Sequence, residues 1–136
     1  RVAAGAFSEG QSPEPKGWAE ISTVRTLNKT MFVAQVVGKS MEPKVPDGAW
    51  CLFSTSVEGS RHGRLLIVQH RDISDPETGG RYTLKRYARP PQAVSDGGEL
   101  KGTILLEPLN PDFKPIVLEK DLEDLRVIAE LLEVLG

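Results

Sequence analysis

A mostly β domain of short antiparallel strands, with a flexible amino-terminal segment ahead of it, is the fold class this sequence predicts, on three observations. Short runs rich in β-branched and apolar residues recur along the chain from Met31 onward. Clusters of Gly, Pro, Asn and Asp separate them, as turns require. No segment carries a long, capped apolar stripe at helical spacing.

Taken in order, residues 5 to 20 interleave Gly5, Gly10, Pro13, Pro15 and Gly17 with Ser and Glu, which predicts an extended, mobile segment and no packed element. The first strand is Met31 to Val37, and Pro46-Asp47-Gly48 makes the turn into the second, Ala49 to Ser54. Glu58-Gly59-Ser60 precedes the third, Arg64 to His70. Asp75-Pro76 and Gly79-Gly80 supply a hairpin turn into the fourth, Arg81 to Ala88. Pro90-Pro91 and Asp96-Gly97-Gly98 lead to Thr103 to Leu106, and Asn110-Pro111 separates that run from Ile116 to Leu118. Glu119 to Leu125 fits one helical turn. The last run, Arg126 to Val134, is ambiguous because Leu, Glu and Ala also favour helix. These signals divide the chain into a segment over 1–30 and a folded domain over 31–136.

At 136 residues the chain has room for one domain with a real core. No apolar run approaches the roughly 18 residues a membrane helix needs, so no membrane anchoring is expected. A net charge of −2, with no basic stripe, argues against direct nucleic-acid binding by this segment. Cys51 is the single cysteine, cannot form an internal disulfide, and reads as a small buried apolar residue. That usage fits a cytoplasmic setting. The chain opens at Arg1 without a methionine, and the expectation is a fragment or processed product.

Chemistry concentrates at two places. Ser40 follows the first strand in a glycine-containing turn, Val37-Gly38-Lys39-Ser40-Met41-Glu42-Pro43. Lys85 sits within Tyr82-Thr83-Leu84-Lys85-Arg86, where alternation puts Thr83, Lys85 and Tyr87 on one face. A lysine is costly to bury charged, so an apolar site favours the neutral amine. A neutral amine beside a serine hydroxyl makes a nucleophile.

These motifs resemble the LexA/UmuD-type self-cleaving serine peptidases. Gly38-x-Ser40-Met41 with Pro46-Asp47-Gly48 is similar to the family's nucleophile box, and Thr83-Leu84-Lys85-Arg86 to its lysine box. Leu106-Glu107-Pro108-Leu109-Asn110-Pro111-Asp112-Phe113-Lys114-Pro115-Ile116 resembles its strand-turn-strand. Val2-Ala3-Ala4-Gly5 resembles its cleavage site, with the scissile bond between Ala4 and Gly5. The chain departs from the pattern at Ala49, where an acidic residue usually follows Gly48.

The resemblance implies a LexA/signal-peptidase-like fold with a closing strand over the last run. It implies Ser40 as nucleophile and Lys85 as general base, with the amino-terminal segment of the same chain as substrate. Backbone N–H groups of Lys39 and Ser40 are expected to hold the oxyanion. It further implies a homodimer, stimulation by a RecA-type filament, and a place in the SOS response to DNA damage as the carboxy-terminal part of a repressor. A polymerase-accessory protein activated by self-cleavage, or a regulatory domain of a larger nucleic-acid enzyme, are the alternatives. A tether from Gly5 to Ser40 spans on the order of 100 Å when extended, so reach is no obstacle. His62 lies beside a turn glycine and His70 near a strand end, and a Ser/His/Asp triad, which would need one of them near Ser40, is not expected. The chain offers no metal-ligand spacing and no phosphate-cradling loop, and neither a metal nor a cofactor is expected.

Overall fold

The computed structural model describes residues 2–8, 17–19, 21–73, 82–89 and 102–136. Among these described residues nine strands follow in chain order: β1 (Val2–Ser8), β2 (Gly17–Ala19), β3 (Met31–Val37), β4 (Ala49–Ser54), β5 (Leu65–Gln69), β6 (Tyr82–Ala88), β7 (Ile104–Glu107), β8 (Ile116–Leu118) and β9 (Arg126–Val134). One 3₁₀ turn, Leu122–Asp124, precedes β9. The chain therefore has the β-rich architecture expected of it, consistent with a LexA-like fold. The ambiguous last run is a strand. No helix among the described residues is long and apolar enough to cross a membrane.

The strands form one sheet in the order β2-β1-β3-β4-β9-β5-β6-β7-β8. All pairs are antiparallel except β1 with β3. The first half of β9 pairs with β5, from Arg126 opposite Gln69 to Glu130 opposite Leu66. Its second half pairs with β4, from Glu130 opposite Ser54 to Val134 opposite Cys51. Register shifts at Leu52/Phe53 and Ile67/Val68 bend the sheet where β9 crosses from one group of strands to the other. The last strand is thus the joint of the molecule.

Period-2 alternation sorts the side chains. Phe32, Ala34 and Val36 of β3 join Cys51, Phe53, Ile67, Leu84 and Ala129 in the principal core, together with Met41 and Val45. The rings of Phe32 and Phe53, directly opposite in the register, stack at 5.3 Å. Val33 and Leu52 point to the other face, where Ile21, Leu27, Leu132 and Leu135 cover them. A further cluster of Leu66, Val68, Tyr87, Ile104, Leu106 and Leu118 fills the space between β5 and β8.

One expectation changes. The amino-terminal segment was read as unpacked, yet β1 and β2 extend the sheet, with Ala4 opposite Val33 and Gly5 opposite Ala34. Backbone pairing on the open edge of β3 needs no apolar pattern, which is why composition did not reveal it. Residues 9–16 of that segment lie outside the described residues, as do Gly79-Gly80, Pro90-Pro91 and Asp96-Gly97-Gly98. β9 divides its apolar residues between two faces, with Leu131 and Val134 against the principal core and Leu132 against Leu52 and Val33.

Candidate active site

Ser40 is carried by the turn that leaves β3. Gly38 adopts φ 132°, a conformation open to glycine and strained for other residues. Its N–H donates to Asp47 Oδ1 at 2.8 Å, so the acidic residue of Pro46-Asp47-Gly48 ties off the start of the turn. Gly48, at φ 86°, donates its N–H to Val36 O at 2.7 Å and closes the loop onto β3. Within the loop, Val45 N–H donates to Met41 O at 2.9 Å. Met41 and Val45 are buried in the principal core. The loop is anchored by its apolar side chains, and the residue before Met41 is presented to the site.

Lys85 comes from β6, where it sits opposite Leu66 of β5. Although a lysine, it is only 2 % exposed, and Ser40 is 3 % exposed. Lys85 Nζ donates to Ser40 Oγ at 2.9 Å and to Thr83 Oγ1 at 2.6 Å. Thr83 lies two residues before Lys85 and so on the same face of β6. No buried side-chain N or O among the described residues lacks a hydrogen-bond partner. The two residues singled out from sequence are therefore brought into direct contact in a site screened from water.

The backbone beside Ser40 is held from a third element, the loop between β7 and β8. Asn110 Nδ2 donates to Lys39 O at 2.9 Å, and Asn110 N–H donates to Ser40 O at 3.0 Å. Thr83, Asp47 and Asn110 all stand inside the motifs quoted from sequence, but none was given a role there. Period-2 alternation already put Thr83 beside Lys85. For Asn110 no local signal exists, because its partners lie in a distant loop.

The residues that frame the Ala4–Gly5 bond lie in β1, parallel to β3, the strand that runs into the Ser40 turn. Neither histidine is bonded to Ser40. His70 Nδ1 accepts from Asp72 N–H at 3.0 Å, so Nε2 is the donor to Asp121 O at 2.8 Å. His62 Nδ1 accepts from Arg89 N–H at 3.0 Å. Both histidines secure backbone.

Asp121, Glu123 and Asp124 gather at the 3₁₀ turn with their oxygens within 4.8 Å of one another. Arg71 answers that charge, at 2.7 Å from Asp121 and 3.2 Å from Asp124, and the two carboxylates raise its guanidinium further above its usual range.

A lysine amine against a serine hydroxyl is placed so that it can withdraw the hydroxyl proton. Among known families, the Peptidase S24-like family matches residues 1–132. The chain belongs to that family. It is thus a serine-peptidase-like domain of the hydrolase class. No curated protein sequence matches it.

Proposed function

We propose that this domain is a self-cleaving serine peptidase in which Ser40 is the nucleophile, Lys85 the general base, and the Ala4–Gly5 bond the substrate. The observation that carries the reading is the 2.9 Å contact between Lys85 Nζ and Ser40 Oγ, both buried, in a chain of the S24-like family. The neutral Lys85 amine takes the Ser40 proton along that line as Oγ bonds to the Ala4 carbonyl carbon. The carbonyl electron pair becomes an oxyanion, held by the N–H groups of Ser40 and Lys39. Collapse breaks the Ala4–Gly5 bond, and the Lys85 ammonium returns its proton to the Gly5 amine. Water, deprotonated by the same amine, then releases the Ala4 acyl group from Ser40.

Further support comes from the substrate's position in the chain. A substrate tethered in the same chain as the nucleophile has a high effective concentration once its Ala4–Gly5 bond leaves its pairing with Val33 and Ala34, so no wide cleft is needed. The regulatory part of the reading rests on the resemblance. A RecA-type filament stimulates the cut, which inactivates a repressor or activates a polymerase accessory.

Incubation of the protein at alkaline pH tests the chemistry, with a fragment beginning Gly5-Ala6-Phe7 expected by mass spectrometry. Ser40→Ala and Lys85→Ala abolish the cut. Lys85→Arg abolishes it too, since a guanidinium stays protonated. The rate rises with pH and then levels off, as general-base catalysis requires. An uncut parent, a cut elsewhere, or substantial cutting by the Lys85 variants overturns the assignment.

A further inference from the structure

The loop between β7 and β8 takes no part in the proton transfers, yet it is bonded to both carbonyls that flank the nucleophile. Asn110 reaches Lys39 O through Nδ2 at 2.9 Å and Ser40 O through its own N–H at 3.0 Å. The orientation of its side-chain amide is dictated by a second bond. Oδ1 accepts from Asp112 N–H at 3.0 Å, which leaves Nδ2, the donor, toward Lys39. Phe113 N–H donates to Asn110 O at 3.1 Å and closes the turn. Leu109 packs on the core that also buries Met41 and Val45, so the loop and the Ser40 turn share one anchor.

A trans peptide unit is planar, and its C=O and N–H point in opposite directions. The Lys39–Ser40 unit is trans. Holding Lys39 C=O toward Asn110 therefore turns the Ser40 N–H to the opposite side. Glu42 N–H holds the same carbonyl from within the turn, at 3.1 Å. We propose that Asn110 is a positioning residue that aims the Ser40 N–H at the oxyanion formed on the Ala4 carbonyl. Asn110 touches neither substrate nor the reacting atoms, and acts through the peptide unit it grips. This inference rests on the Ser40/Lys85 reading and adds a third element, β7–β8, to the machinery.

Asn110→Ser is the test. Serine still caps the turn and adds no charge, but its side chain is too short to grip Lys39 O. Self-cleavage at Ala4–Gly5 is expected to slow about 10- to 100-fold, the scale of a misaimed donor. The pH of half-maximal rate and the thermal midpoint stay at the parent values, because the Lys85–Ser40 contact and the core are untouched. Asn110→Asp serves as the second variant, keeping the turn acceptor while setting an oxygen against the Lys39 carbonyl, and it too slows the cut at an unchanged thermal midpoint. Cutting within about threefold of the parent rate in both variants overturns the inference. So does a slowed Asn110→Ser enzyme whose half-maximal pH has moved, since Asn110 then acts on the proton transfer. Ser40→Ala and Lys85→Ala are run beside them. If those two cut like the parent, it is the Ser40/Lys85 reading that has failed, visibly and separately from Asn110.

Discussion

Lys85 shows how one side chain acquires a role from two neighbours. Thr83 and Ser40 both accept from Nζ, so the amine is held on a fixed line to Oγ. Thr83→Val keeps the shape and removes one acceptor. One hydrogen bond is worth about 1.4 kcal/mol at most in a typical neutral case, and that is a factor of about ten in rate. Self-cleavage of Thr83→Val is expected to slow about tenfold with the fold retained, as read by fragment release and circular dichroism; an unchanged rate shows that Thr83 does not orient the amine. Cys51 carries the complementary lesson. Burial pushes its thiol up from 9.0 to about 12. A group raised on folding contributes stability that is complete below its unfolded value and is lost as pH climbs toward the folded one. The window here runs from 9.0 to about 12, where cleavage assays at alkaline pH also operate. The thermal midpoint of the parent is expected to fall across that window more steeply than that of Cys51→Ala. Parallel slopes in the two proteins remove the claim.

At the scale of elements, the Ser40 turn is a short loop fastened at both ends. Asp47 ties the Gly38 N–H, Gly48 closes on Val36, and Met41 and Val45 fill the core between them. Gly38→Ala forces a Cβ into φ 132°, at a cost of order 1–3 kcal/mol if the conformation is kept. The cheaper response is for the turn to relax, which moves Ser40 off Lys85. Cleavage is therefore expected to fall by more than tenfold while the thermal midpoint drops only modestly. A variant that loses stability but cuts at the parent rate would show that the glycine serves the fold alone.

The whole molecule is joined by β9, which pairs with β5 over one half and β4 over the other. Its apolar residues are shared between two faces of one chain, so a charge at Leu132 disturbs folding as well as any association. Trp50 is the better probe of the homodimer that the resemblance implies. It is 40 % exposed, and its backbone bonds to Leu135 and Gly136 beside the end of β9. Sedimentation of the parent at micromolar concentration is expected to show a dimer, with Trp50→Glu shifting it toward monomer at an unchanged thermal midpoint. A parent that sediments as a monomer ends that proposal and leaves Ser40 and Lys85 as they are.

Sequence alone determined the strands from Met31 onward, because alternation and turn chemistry act between near neighbours. Met31–Val37, Ala49–Ser54, Ile116–Leu118 and Arg126–Val134 stand where those local signals put them. Ser40 and Lys85 were legible for a different reason, that each sits in a short motif whose residues are contiguous. What only the tertiary structure decided are the encounters across the chain. Lys85 meets Ser40 over a separation of 45 residues, and Asn110 meets Lys39 over 71. The parallel docking of β1 on β3, the crossing of β9 between two strand groups and the gathering of acidic groups around Arg71 are of the same kind. Composition carries no record of such contacts, since burial and strand pairing over long separations are chosen by the packing of the whole core.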